Sequence, residues 1–243
     1  MKNIIAVESI EKFLEYQSLI KELDNPINNY IQILQKFYQL NELPKGVLWT
    51  TSEIATNVLS NNIVAGYTNE QYITMTPETD YWRHYYYSLM KDCKSENIKK
   101  YYNKFSEKFV LQVIGHEIAH NLDLFYEEWT DSTTIWFEEG MVEFLSCYYL
   151  LSEEEYKIKL NAELDALNYY SKIFGEVNLE EFKMSSYKNL NKIQIFMLYW
   201  KSFIIIIEIF TSNNKDILKV FKKYHEWYQS NQRKTKSEWF NVK

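Results

Sequence analysis

The sequence predicts an α+β fold in which helices predominate. Apolar residues recur at helical spacing over most of the first 40 residues and again from Ser106 onward. Between Gly46 and Pro77 the pattern changes to short β-branched and aromatic runs separated by Asn, Gly and Thr, which is typical of strands. With 46% apolar residues in 243, the chain can bury a substantial core. We therefore expect one compact unit with a small sheet and many helices.

Two amphipathic helices are expected at the start of the chain, over residues 3–22 and 27–40. Apolar side chains recur at intervals of three and four residues in both stretches; Ile10 is an example in the first and Leu34 in the second. Residues 1–45 are therefore predicted to form an N-terminal helical segment.

A small sheet of about three strands, antiparallel or mixed, is expected within residues 46–77. Its three runs begin near Gly46, Asn61 and Gln71, and each is rich in residues that favour strands. We expect this sheet and the helices that follow it to form the central part of the domain, residues 46–150.

The last part of the chain, residues 151–243, is predicted to be a C-terminal helical subdomain. Ser152 and Glu155 have the spacing of a capping box, and Gly175 is placed to end the helix that begins there. Two further helices are expected at residues 188–211 and 215–229.

One apolar stretch, residues 193–210, is long enough to raise the question of a membrane span. A span needs about 20 residues with few or no charges. Because Lys201 lies at the centre of this stretch and Glu208 near its end, we expect a buried helix and no membrane partner. Glu8 and Glu11 interrupt the apolar run that an export signal would need, so a cytoplasmic location is expected.

The charge and cysteine content narrow the class of protein further. The formal net charge is -6, and both signs are scattered without a long basic block, so we expect no nucleic-acid partner. Cys93 and Cys147 do not form a C-x-x-C motif, and we expect both to be reduced thiols. No feature of the sequence sets an oligomeric state.

Chemically active residues are concentrated in the pentapeptide His116-Glu117-Ile118-Ala119-His120. Helix positions four apart share a face, so both imidazoles can reach one metal ion while Glu117 flanks it. A catalytic zinc site keeps three protein ligands and leaves a fourth position to water, so a third ligand is needed. The competing interpretation is that the two histidines only pack or cap on a polar helix face.

A carboxylate for this site is available on a second amphipathic helix around residues 136–143. H-E-x-x-H, 18 intervening residues and then Glu139 within W-x-x-E-G resemble the gluzincin metallopeptidases, particularly the aminopeptidase N-like group. The resemblance implies one Zn²⁺ per chain, held by His116, His120 and Glu139. Glu138 is the alternative third ligand.

The resemblance extends loosely to residues 197–227. Tyr199 opens a Y-x-x-x-F segment that is followed by an apolar run, and in the aminopeptidase N-like group such a Tyr donates a hydrogen bond to the oxyanion of the tetrahedral intermediate. Tyr199 is therefore the candidate for that role. Glu143 lies one helical turn after Glu139, where it could accept the free ring N–H of a ligating histidine; the alternative is an ordinary surface glutamate.

The resemblance implies a thermolysin/gluzincin-like catalytic domain and a zinc-dependent peptidase with a peptide or protein substrate. Glu117 would act as general base on a metal-activated water, and the substrate would pair with a strand edge at residues 72–75. One departure is that the G-x-M-E-N element, which recognises a free substrate N-terminus in that group, is absent, because no Gly lies between Gly66 and Gly115. Two alternatives stay open: a catalytically silent gluzincin-like module that binds peptides or proteins, and a structural helical protein with an accidental motif.

Overall fold

The computed structural model describes residues 1–38, 43–60, 63–69, 71–104 and 106–242. Over these ranges the chain is predominantly helical with a small mixed sheet, so the predicted α+β class is confirmed. The strands are β1 (Lys2–Ala6), β2 (Gly46–Thr50), β3 (Gly66–Asn69) and β4 (Tyr72–Met75). The α-helices are α1 (Ile10–Phe37), α2 (Ser52–Ile54), α3 (Thr79–Leu89), α4 (Glu96–Asn103), α5 (Glu107–Ala119), α6 (Trp136–Leu150), α7 (Glu153–Phe174), α8 (Ser186–Asn189), α9 (Lys192–Ser212), α10 (Ile217–Gln229) and α11 (Lys236–Phe240). A π-helical turn at Ala55–Leu59 and a 3-10 turn at Leu179–Glu181 complete the described helical elements.

The chain divides into two compact units, each assembled from separate segments. Unit 1 comprises Met1–Lys91, Lys99–Asp123 and Leu145–Tyr156, and unit 2 comprises Asp92–Ile98, Leu124–Phe144 and Lys157–Lys243. The predicted boundaries at residues 45 and 150 stay predictions.

Unit 1 contains the sheet, whose strand order is β1-β2-β4-β3. β2 pairs in parallel with β1 and with β4, while β3 pairs antiparallel to β4, so the sheet is mixed, as predicted. Ile73, Thr74 and Met75 are all buried, and because successive side chains of a strand point to opposite faces, both faces of β4 are covered. β3 lies at the edge of the sheet, and helix α5 contacts both β3 and β4.

The beginning of the chain differs from the two predicted helices. Lys2–Ala6 is a strand that pairs residue by residue with β2, so the prediction of a helix from residue 3 is wrong. Helical spacing was overridden by pairing with a strand distant in sequence. The helix starts only at Ile10, where the Ser9 hydroxyl accepts a hydrogen bond from the backbone N–H of Lys12 at 3.2 Å.

The predicted break between the two N-terminal helices is also wrong, because α1 continues through Pro26. A proline inside a helix removes one backbone hydrogen bond. Leu23 and Ile27 on its two sides are 4% and 6% exposed, so a continuous buried stripe compensates for this loss. The predicted end of the second helix at residue 40 lies outside the described residues. The second predicted strand, expected near residue 61, begins at Gly66.

The helices of the C-terminal part follow the predictions more closely. The capping box is confirmed: the Ser152 backbone N–H donates to Glu155 Oε2 at 2.8 Å, and the Glu155 N–H donates to Ser152 Oγ at 3.3 Å. Gly175 follows α7 with a φ of 81°, a backbone conformation that ends helices and favours glycine. The helices predicted at residues 188–211 and 215–229 correspond to α9 and α10, whereas the short helices α8 and α11 were not predicted.

By length and composition, helix α9 could cross a membrane. Of its most apolar 18-residue stretch, 56% is buried. The core helices of soluble proteins have the same properties. The expected absence of a membrane partner and the cytoplasmic location therefore stay predictions.

A buried ion pair in unit 2 connects α11 with the segment before α6. Lys236 Nζ lies 2.5 Å from Glu127 Oε2, donates to the backbone oxygen of Thr134, and lies 5.0 Å from the centre of the Trp227 ring. Burial lowers the pKa of Lys236 and raises the pKa of Glu127. Each charge therefore depends on the other, because removal of one would leave its partner buried and uncompensated.

Candidate metal centre

The two predicted histidine ligands lie at the C-terminal end of α5. Val110, Ile114 and Ile118 are completely buried on one face of this helix, while His116 and His120 are half-buried. The regular helix ends one residue before His120, whose backbone is still helical, with φ -58° and ψ -19°. The two side chains therefore keep the one-turn spacing that the motif predicts, and their Nε2 atoms are 3.3 Å apart.

The predicted third ligand joins these histidines. Glu139 lies in the first turn of α6 and is 2% exposed. One potential ligand atom from each of His116, His120 and Glu139 lies within 4.8 Å of the others. The alternative ligand, Glu138, is not a member of this group; its Oε2 accepts a hydrogen bond from the Trp129 indole N–H at 2.9 Å. The three predicted ligands thus form a cluster that could bind a metal ion.

The donor atoms and their spacing fit a divalent metal ion. Two nitrogens bound at about 2.0–2.1 Å in tetrahedral geometry lie about 3.4 Å apart, and the observed Nε2–Nε2 separation is 3.3 Å. Two imidazoles and one carboxylate are ligands that zinc accepts, and they fill three of its four positions. The same ligands also accept neighbouring divalent ions, so the cluster does not identify the metal.

A residue of the edge strand β3 donates a hydrogen bond to Glu117, the predicted general base. Its Oε2 accepts a hydrogen bond of 2.6 Å from Thr68 Oγ1, and Thr68 belongs to β3. Since a carboxylate has two oxygens, this contact engages one and leaves the second for other chemistry. The structure thus places Glu117 directly after a candidate ligand and beside the edge strand, but its catalytic role stays a prediction.

Tyr199 contacts the candidate ligand Glu139. Its hydroxyl donates to Glu139 Oε1 at 3.1 Å. Burial raises the pKa of Tyr199 well above its usual value, and the neighbouring Glu139 carboxylate and the Tyr187 hydroxyl raise it further. The Tyr199 hydroxyl therefore stays protonated and remains a hydrogen-bond donor at neutral pH. This is the protonation state that the predicted oxyanion role requires.

Glu143 is not an ordinary surface residue, because its side chain is 17% exposed. Its Oε1 lies 2.8 Å from Lys159 Nζ, and the same ammonium lies 2.5 Å from Glu163 Oε1. Burial raises the pKa of Glu163 to about 7, although attraction to the Lys159 ammonium acts to lower this pKa. The cluster therefore contains one ammonium group and two carboxyl groups. The predicted contact between Glu143 and a ligating histidine stays a prediction.

Sequence reasoning missed three residues near these groups: Thr68, Tyr187 and Lys159. Thr68 lies 49 positions before the base that it contacts, so no local pattern signals it. Tyr187 is one of 21 tyrosines and lies outside any recognised motif. Lys159 and Glu163 do have the i, i+4 spacing of a helical ion pair, but this spacing does not reveal that the pair is buried.

Comparisons with known proteins give no family assignment. No family model matches the sequence, and the searches found neither a similar curated protein nor a matching solved structure. The gluzincin resemblance therefore rests on the motif residues and on the observed cluster of three candidate ligands.

Proposed function

We propose that this protein is a zinc-dependent peptidase of the gluzincin type, in which His116, His120 and Glu139 hold one Zn²⁺ and Glu117 is the general base. The observation that carries the proposal is the convergence of the three candidate ligand atoms within 4.8 Å. If the H-E-x-x-H motif were accidental, no buried carboxylate would be expected at the position of a third ligand. A mixed sheet with an edge strand beside α5 supports the thermolysin-like part of the proposal.

The residues of this chain have distinct roles in the proposed hydrolysis. A bound zinc ion would supply Lewis acidity, which lowers the pKa of a bound water and polarises a carbonyl group. Glu117 would accept a proton from the attacking water and return it to the leaving amine. The oxygen that does this would be the one not engaged by Thr68. Tyr199 would turn its single proton from Glu139 Oε1 to the oxyanion and donate a hydrogen bond there.

The proposed substrate path differs from the one expected from the sequence. The strand at residues 72–75 is not an edge, because β4 pairs with β2 on one side and with β3 on the other. β3 lies at the edge of the sheet, and its Thr68 contacts Glu117. We therefore place an extended peptide or protein segment along β3, where backbone hydrogen bonds would align it with the general base.

The experiment combines metal analysis with peptide hydrolysis. About one zinc per chain is expected in the purified parent, and none in a His116→Ala, His120→Ala double variant. Glu117→Gln should retain zinc but lose about 10²- to 10⁴-fold in hydrolysis rate, because it cannot accept the proton. Glu107→Gln is the matched control, since it makes the same change at an exposed position in the first turn of the same helix, and should retain both properties.

Each outcome decides between the candidate functions. Absence of zinc from the parent, even after zinc is offered, would leave the motif accidental and overturn the proposal. Zinc binding without cleavage of any member of a peptide library would favour the silent binding module instead. Equal hydrolysis by Glu117→Gln and the parent would remove Glu117 from its assigned role.

A further inference from the structure

Two tyrosine hydroxyls and one carboxylate oxygen form a compact group within unit 2. The hydroxyls of Tyr187 and Tyr199 are 2.5 Å apart, and they lie 3.5 Å and 3.1 Å, respectively, from Glu139 Oε1. We propose that Tyr187 is a positioning residue: it donates to the Tyr199 hydroxyl, which donates in turn to the ligand carboxylate of Glu139. This inference rests on the proposed function, because it assigns a role at the same metal site.

The direction of this hydrogen-bond chain follows from counting protons. Each tyrosine hydroxyl carries one proton and can also accept, so the close contact between the two hydroxyls uses one of the two protons. Only one proton then remains for Glu139 Oε1. The shorter distance, 3.1 Å against 3.5 Å, assigns this proton to Tyr199. The proton of Tyr187 therefore points to the oxygen of Tyr199.

The surrounding residues hold both rings in place. Phe182 is completely buried, and its ring centre lies 6.1 Å from that of Tyr187 and 5.1 Å from that of Tyr199. Ser186, the neighbour of Tyr187, donates from its hydroxyl to the backbone oxygen of Glu181 at 2.7 Å. The same hydroxyl accepts the backbone N–H of residue 183 at 3.0 Å. Tyr187 therefore lies in a segment whose backbone is fixed by hydrogen bonds.

Such a chain has two consequences for the site. Hydrogen bonds in series polarise one another by an estimated 10–30% per bond, so Tyr187 makes Tyr199 a stronger donor. A hydrogen bond to Oε1 also fixes the orientation of the Glu139 carboxylate. Partners that orient metal ligands in this way typically change metal affinity or activity by about 10- to 100-fold when they are removed. Tyr187 would therefore tune metal affinity while Tyr199 donates to Glu139, and would tune oxyanion binding when the single Tyr199 proton turns from Glu139 to the oxyanion.

The test measures zinc affinity by competition with a coloured chelator and, separately, kcat and KM for a peptide substrate. Tyr187→Phe should weaken zinc binding by about tenfold, at the low end of the effect of removing an orienting partner, and should lower kcat more than it changes KM. Tyr187 is 41% exposed, and phenylalanine retains its ring, so the variant should fold normally. Tyr228→Phe, at a 36% exposed tyrosine of the same unit, is the matched control and should match the parent.

A double variant distinguishes a hydrogen-bond chain from two independent hydrogen bonds. If Tyr187 acts through Tyr199, a Tyr187→Phe, Tyr199→Phe variant should bind zinc no more weakly than Tyr199→Phe alone. Losses that multiply in the double variant would overturn the chain, as would a Tyr187→Phe variant with the zinc affinity of the parent. These results compare variants of a parent that binds zinc. If the proposed function were wrong, the parent itself would bind no zinc or cleave no peptide, so the two failures can be distinguished.

Discussion

Gly140, the residue directly after the candidate ligand Glu139, fixes how closely α6 approaches α9 within unit 2. A Cβ atom at position 140 would lie 2.6 Å from the backbone oxygen of Ser202 and 2.9 Å from Cγ1 of Ile206. A backbone oxygen inside a helix cannot rotate away as the end of a side chain can. Gly140→Ala should therefore force the two helices apart.

The size of this effect can be derived from the contact distances. Ordinary contacts of a Cβ begin at 3.4 Å, so a contact of 2.6 Å requires a separation of about 0.8 Å. Overpacking of this kind costs about 1–3 kcal/mol, and the better helix propensity of alanine returns about 1 kcal/mol. The expected net loss is about 0–2 kcal/mol, with a decrease in Tm of up to about 8 °C for a chain of this length. Metal–ligand distances in credible sites stay within about 0.2 Å of their usual values, so a displacement of Glu139 with its helix should lower zinc affinity as well.

Gly115→Ala is the matched control, because Gly115 is also a helical glycine that adjoins a candidate ligand, His116. A Cβ there would meet Cδ1 of Leu150, the far end of a flexible and half-buried side chain. Rotation of that side chain relieves the contact, and the next neighbour, Cε1 of Tyr30, lies at 3.3 Å, close to ordinary contact. The Tm should therefore equal or exceed that of the parent, because alanine has the better helix propensity. Thermal unfolding followed by circular dichroism and a zinc titration would compare the two variants. A Gly140→Ala variant that equals Gly115→Ala in both measurements would refute the packing argument.

Two further predictions concern buried charges in unit 2. Because burial raises the pKa of Glu163 to about 7 from 4.5, this carboxyl group stabilises the fold below about pH 4.5 and loses that contribution as pH rises through 7. Glu163→Gln retains an uncharged side chain beside Lys159 and Glu143, so its Tm should increase relative to the parent between pH 5 and pH 8; a constant difference would contradict this. Lys236→Met should lower the free energy of unfolding by about 3–5 kcal/mol in urea denaturation, because the Glu127 charge stays buried alone, whereas Lys236→Met with Glu127→Leu should recover most of the loss. Equal destabilisation of the single and double variants would show that the ion pair does not cause the effect.

The parts of the fold that the sequence predicts well are those whose signals are local. The start of α7 was predicted because Ser152 and Glu155 form their reciprocal hydrogen bonds within one turn. Strand β1 was missed because its pairing partner begins at Gly46, and apolar spacing in residues 3–7 is compatible with a helix. The single helix α1 was missed for a related reason: the effect of Pro26 depends on tertiary burial, which local propensity does not include.

The candidate site shows the same division. His116, His120 and Glu139 could be predicted because helix geometry fixes the spacing of the histidines, and a known motif supplies the third ligand. Thr68 and Tyr187 contact these groups only after the chain folds, and their spacing from the motif follows no helical or strand period. The sequence therefore predicts the candidate metal ligands and Tyr199, but not Thr68 and Tyr187, whose hydroxyls contact Glu117 and Tyr199.

The buried pair of Lys236 and Glu127 also constrains how this sequence can change over evolutionary time. Replacement of either residue alone leaves one charge buried, whereas replacement of both by apolar residues is often neutral or stabilising. A lineage would thus have to pass through an unstable intermediate or acquire both changes together. In homologues that retain this packing, we expect positions 127 and 236 to covary, as an acid with a base or as two apolar residues, despite their separation of 109 positions.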